Sequence, residues 1–196
     1  FDAFQYYRQA LDIAREEKDE RGLGWMLSGL GALEAECGNY DRAIDLCNEG
    51  IGHHIRAHHE HGAAYGTYTL ASVLLKAGRL SEAEERLLDS LGRLRQLGDE
   101  LGTARAMIRL ATLYARLDQT DVARQYGLQA LESSVRTEDL EAQGMALLAL
   151  AQIALSCQDD DEAYRYSQQA EDLAQRFGFW DLLAEAWLLY GHLALR

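Results

Sequence analysis

Residues 101–117 hold three arginines and no acid, in a chain whose formal net charge is −13. Arg105, Arg109 and Arg116 are separated by four and then seven residues, which on a helix puts them on one face with Thr112 between them. Lys76 supplies a fourth cation from a neighbouring stretch. A guanidinium fork takes a carboxylate through two parallel hydrogen bonds, so such a face could hold an acidic ligand. The same arginines could instead pair with Glu100, Glu138 or Glu141.

A second cluster invites metal chemistry. His53, His54, His58, His59 and His61 lie within nine residues, and His54, His58 and His61 share a helical face. Histidines at such spacing can chelate Zn²⁺. However, His54 falls where Leu94 and Ala174 fall in other repeats, so packing accounts for it, and no carboxylate is placed to complete a site. We expect no metal. The run Asp159-Asp160-Asp161 lacks the Gly and the closing Glu of a calcium loop and reads as a solvated turn with a helix cap. No Gly-rich phosphate loop, nucleophile elbow or zinc-protease motif is present. Neither catalysis nor a cofactor is expected.

The elements that carry these residues are helices. Proline is absent, and 48% of the residues are apolar. Ala, Leu, Glu, Gln and Arg are abundant, and they lose little rotamer freedom in a helix. Ala3, Ala43, Ala83, Ala123 and Ala163 stand 40 residues apart, and Ala10, Gly50, Ser90, Ala130 and Ala170 repeat the spacing. Gly31, Ala71, Ala111, Ala151 and Gly191 form a third small series. Large residues repeat as well. Leu30, Leu70, Leu110 and Leu150 lead to Tyr190, Leu27, Thr67, Met107 and Leu147 to Trp187, and Leu11, Ile51, Leu91 and Leu131 to Glu171. Small residues let helix axes approach to roughly 8–10 Å while large ones fill the grooves. Each unit reads as two helices, A beginning near 22, 62, 102, 142 and 181, and B near 41, 81, 121 and 161. Turns are read at Gly38-Asn39, Gly78-Arg79, Gly98-Asp99, Asp118-Gln119, Asp159-Asp160 and Gly178, with Asp41, Ser81 and Asp121 as N-caps.

This pattern, seen in LSGLGALEAECGNYDRAIDLCNEGI and then in TLASVLLKAGRLSEAEERLLDSL, resembles the tetratricopeptide repeat over the whole chain. The 40-residue period resembles the long-helix subtype of MalT-type regulators and scaffold proteins. The resemblance implies an all-α, right-handed α-solenoid of antiparallel helix pairs. The array spans 1–196, with a lone helix B at 1–20, helix pairs at 21–61, 62–100, 101–140 and 141–180, and a lone helix A at 181–196. It also implies a concave surface lined by the A helices. Its ligand registers map to Trp25 and Ser28, to Tyr65, Tyr68, Thr69 and Ser72, to Arg105, Ile108, Arg109 and Thr112, to Met145, Leu148 and Gln152, and to Glu185, Leu188 and His192. Arg105 and Arg109 fall on registers that are basic in carboxylate-clamp members, whereas Ser28, Ala32 and Thr69 depart from that clamp. Tyr65 and Tyr68 would add aromatic contact area, or merely line the groove.

The acidic balance repels phosphate backbones and anionic lipid, so neither nucleic acid nor membrane is expected as a partner. Cys37, Cys47 and Cys157 are an odd set without paired spacing, which fits a reducing compartment. No apolar run approaches membrane-spanning length, and no signal peptide opens the chain. A cytoplasmic location is expected. The chain opens on Phe1, and neither its first helix nor its last looks like a polar cap, so a longer parent protein and self-association through the end helices are expected. The expected function is that of an interaction scaffold holding a protein or peptide, acidic in character. The alternative is the sensor domain of a multidomain bacterial regulator or signalling protein.

Overall fold

Strong helix formers punctuated at even intervals give helices of even length. In the computed structural model, which describes residues 3–195, they are α1 (Ala3–Glu16), α2 (Glu20–Glu36), α3 (Tyr40–Arg56), α4 (Glu60–Lys76), α5 (Leu80–Gln96), α6 (Glu100–Arg116), α7 (Thr120–Arg136), α8 (Leu140–Ser156), α9 (Asp160–Phe177) and α10 (Trp180–Ala194). No strand occurs among the described residues. Phe1, on which the chain opens, lies outside them. The A helices are α2, α4, α6, α8 and α10, each beginning one or two residues earlier than the spacing suggested.

The turns explain that offset. The residues at 18, 38, 58, 78, 98, 118, 138, 158 and 178 all have positive φ, so a left-handed residue recurs every twenty positions. Around it the chain closes in the pattern that satisfies the last carbonyls of a helix. Gly38 N–H donates to Ala35 O at 3.0 Å, and Asn39 N–H to Glu34 O at 2.9 Å. The next residue is already the cap of the following helix. Asp19, Asp99, Asp139 and Asp159 accept from the backbone N–H of Arg21, Gly102, Ala142 and Glu162. Asp41, Ser81 and Asp121 are therefore not caps but first-turn residues, behind Asn39, Arg79 and Gln119, whose side chains make no cap bond. Likewise the turn read at Asp159-Asp160 is centred on Gln158, with Asp159 as the cap.

The chain divides into two compact units, 1–98 and 99–196. In the first, α2 packs on α1, α3 and α4, and α4 also packs on α3 and α5. In the second, α6 packs on α7 and α8, and α8 and α10 meet each other and α9. The small series marks the contacts. Ala43, Ala83, Ala123 and Ala163 are all fully buried, as are Ala71, Ala111 and Ala151. A Cβ on Gly31 would come within 2.7 Å of Cys47 Sγ and 2.9 Å of the Ala43 carbonyl, so only glycine allows α2 and α3 to approach this closely. Leu11, Leu23, Leu27 and Leu30 fill the grooves of the first unit, and Leu147, Leu182, Leu183 and Leu189 those of the second.

Left-handed turns occupied by residues other than glycine carry strain. Glu138, at φ 57°, is one of them. Replacing Glu138 by Gly should raise stability by about 1 kcal/mol, and Gly178→Ala should lower it by about the same. Urea unfolding of the two variants checks both signs.

Candidate ligand-binding faces

On the first unit, α2 and α4 place a line of rings along neighbouring helices. Trp25 of α2 is 38% exposed and packs tilted against Tyr65 of α4, with centroids 6.1 Å apart. Tyr65 meets Tyr68 edge-on at 6.4 Å and His61 at 5.0 Å. The line continues through His59, which lies 6.5 Å from His61 and 6.1 Å from Trp25. Three residues expected to bind ligand, Trp25, Tyr65 and Tyr68, are thus brought together, and His59 and His61 join them. Beside them, Thr69 and Ser72 donate to the carbonyls of Tyr65 and Tyr68 in their own helix. Lys76, at the far end of α4, is ion-paired with Glu36 of α2.

The sequence reading missed the role of His59. It stands forty residues from Asp19 and Asp99 and eighty from Asp139, at the position where each of those caps an A helix; α4 alone of these four has no side-chain cap bond. The imidazole instead turns toward His54, with 3.4 Å between the two Nδ1 atoms, so that one ring donates and the other accepts. The signal was available in the repeat as an Asp, His, Asp, Asp series.

His54 is fully buried. A Cβ on Gly24 would lie 2.6 Å from its ring, and one on Gly62 would strike both His54 and His59. The Trp25 ring stands edge-on to it at 5.0 Å. Its Nε2 is buried without a hydrogen-bond partner, as is the hydroxyl of Ser28. Burial, followed by the neighbouring His59 and His53, pushes the His54 pKa down to about 4. Burial, with Arg21 and His61 nearby, also lowers that of His59. The nearby carboxylate is engaged elsewhere. Glu20 receives His53 Nδ1 at 2.7 Å and Arg56 Nε at 3.1 Å, and the bond from His53 holds its carboxyl below the usual range. Among the described residues, no three His, Cys, Asp or Glu side chains are grouped to hold a metal ion.

On the second unit, α6 carries Arg105, Arg109, Thr112 and Arg116. The Thr112 hydroxyl donates to the Ile108 carbonyl at 3.1 Å. Arg105 does not stand apart from neighbouring acids. Its guanidinium reaches Glu141 Oε2 at 3.0 Å and Asp139 Oδ2 at 3.3 Å, across the start of α8. Of the two readings of Arg105, pairing with Glu141 is the one seen, and its second partner, Asp139, is a helix cap one repeat away, where a cation also relieves the crowding of two acids. Glu100 is taken by Arg136 at 3.3 Å. A correction concerns the inner register. Ser28, Ile108 and Leu148 are buried rather than presented, whereas Tyr68 and Leu188 in the same register are not.

At the end helices, Tyr6 and Ile13 of α1 are more than half exposed, and so are Trp180, Trp187 and Leu188 around α10. No helix among the described residues is long and apolar enough to cross a membrane.

Residues 60–134 match the family model for the tetratricopeptide repeat. No curated protein matches the sequence. Among solved structures, the Rap conjugation gene regulator of plasmid pLS20, in complex with the Phr* peptide, is similar at TM-score 0.84 and 15% identity, over 96% of this chain and 52% of that one. This chain therefore spans about half of that regulator. The apo form of RapI is similar at TM-score 0.79 and 17% identity, over 97% of this chain and 70% of that one. A signal-transduction ATPase with a tetratricopeptide repeat sensor, from Pyrococcus horikoshii, matches at TM-score 0.71 and 20% identity, over 97% of this chain and 30% of that one. The fold shared with all three is that of a tetratricopeptide-like α-solenoid.

Acid should act on the first unit through His54. Its folded pKa of about 4 lies below the unfolded value near 6.5. The unfolded chain therefore takes up the proton first, and the stability present above pH 6.5 is lost as pH falls toward 4. Urea midpoints at pH 7 and pH 5 should differ less in His54→Leu, which installs the residue found at 94. An equal drop in both proteins would assign the acid sensitivity to other groups.

Proposed function

For this chain of tetratricopeptide repeats, we propose a binding scaffold that holds a peptide or protein segment on the surface of its A helices. The observation that carries it is the ring line of Trp25, Tyr65 and Tyr68, which offers large, stiff, amphipathic contact area in one place. Arg109 and Arg116 give α6 of the second unit a cationic face, and Arg105 stands beside them, fixed on α8; this supports an acidic segment as partner. The complex of the pLS20 regulator with a peptide, on the same fold, supports the peptide reading. The role is one of binding rather than catalysis.

A second reading is a sensor within a larger signalling protein, favoured by the likeness to the Pyrococcus horikoshii ATPase, of which this chain spans 30%. We also propose that the protein works in the cytoplasm, where unbridged Cys37 and Cys157 can persist exposed, and that α1 and α10 drive self-association through their exposed apolar side chains.

Panning a random peptide library against the chain supplies ligands to titrate. Trp25→Ala and Tyr68→Ala should each weaken recovered peptides by about 2 kcal/mol, and for Tyr68→Ala the thermal melt should stay put. Arg109→Ala should reduce the salt dependence of acidic peptides. Peptides indifferent to all three substitutions would move the contact elsewhere.

A further inference from the structure

Three register positions change character together at the end of the array. Glu171 of α9 takes the place of Leu11, Ile51, Leu91 and Leu131, while Trp187 and Tyr190 of α10 take the places of Leu27 and Leu30 and their repeats. In the earlier repeats the last two positions are buried packing positions. Here the replaced side chains meet one another. The Trp187 indole N–H donates to Glu171 Oε1 at 3.0 Å, and the Gln175 amide donates to the same oxygen at 2.9 Å. Burial, followed by the neighbouring Glu171, raises the Tyr190 pKa. Glu171 thus stands at a position that is apolar in the other repeats, and one of its oxygens takes two hydrogen bonds.

Glu171 borders a cavity of 470 Å³ between α9 and α10, together with Tyr164, Asp172 and Tyr190. The rings of Tyr164 and Tyr190 lie 5.5 Å apart, tilted by 48°. Among the described residues, no Lys or Arg lines the cavity. Residues 159–196 carry eight acids against three arginines, so the surrounding field has the same sign as the cavity. An anion would meet two carboxylates, and a neutral ligand would leave their charge unmatched. An alkylammonium group satisfies both and sets its charge against the tyrosine faces.

We infer that the α9–α10 cavity is a binding site for an alkylammonium group, carried either by a small amine or by a lysine side chain of a partner. This site lies apart from the A-helix face proposed above and does not depend on it. Glu171 supplies the fixed counter-charge, Asp172 a second one at the rim, and Tyr164 and Tyr190 the π surface.

The indole N–H signal of Trp187 reports on the Glu171 contact and is assigned by comparing the nitrogen–proton correlation spectrum with that of Trp187→Phe. Tetramethylammonium chloride and Nα-acetyl-lysine amide serve as probes on the full chain, with neopentyl alcohol as the neutral control. The cationic probes should shift this signal saturably and the alcohol should not. Tetramethylammonium binding the tighter assigns the site to small amines; the lysine amide binding the tighter assigns it to a polypeptide. Glu171→Gln should weaken binding on the order of tenfold, and Asp172→Asn, on the exposed rim, severalfold. If Glu171→Gln melts early, Asp172→Asn still decides. An equal response to the alcohol, no shift at high millimolar probe, or full affinity in the Asp172 and Glu171 variants would each overturn the assignment.

Discussion

Helices in this protein pack across residues too small to keep them apart. Ala43, Ala83, Ala123 and Ala163 are wholly buried, and at Gly31 even the first side-chain carbon is excluded. Close approach multiplies weak dispersion contacts and lets leucines on either side interlock. Everything else follows from that seam. Once alanines and glycines take the packing positions, the remaining faces of each helix are free to vary without disturbing the array.

The unusual residues fall on those faces, or break the seam in groups. His54 is a grouped case. An imidazole fits among three helices because Gly24 and Gly62 have withdrawn their side chains, and His59 has given up capping to reach it. His54 and His59 have changed together, and Trp25 rests on the result. The ring line on α2 and α4 thus stands on a polar interior.

The small-residue series was legible because close packing leaves no choice at those positions, and the helix count and order followed from it. The caps were misread by two residues. Asp41, Ser81 and Asp121 have the right chemistry, but the cap position directly follows the left-handed residue, and there stand Asn39, Arg79 and Gln119, whose side chains make no cap bond. Arg105 was read correctly as a cation on one helix face, yet its partners lie 34 and 36 residues along the chain, on the next A helix, where spacing within one helix says nothing. Trp25, Tyr65 and Tyr68 could be mapped by register. Their mutual contact could not, since it depends on ring orientation and on two histidines whose places in the repeat went unread.

The left-handed residues recur every twenty positions, and the helices from α2 to α8 are all 17 residues long. Such a chain keeps strict metre. One residue inserted within a helix would rotate every later side chain on it by about 100°, turning the seam away from its neighbour. One inserted at a turn tip disturbs only the join. Lengthening is tolerated in whole hairpins, by duplication of forty residues, so the protein can grow or shrink in large steps far more readily than in small ones.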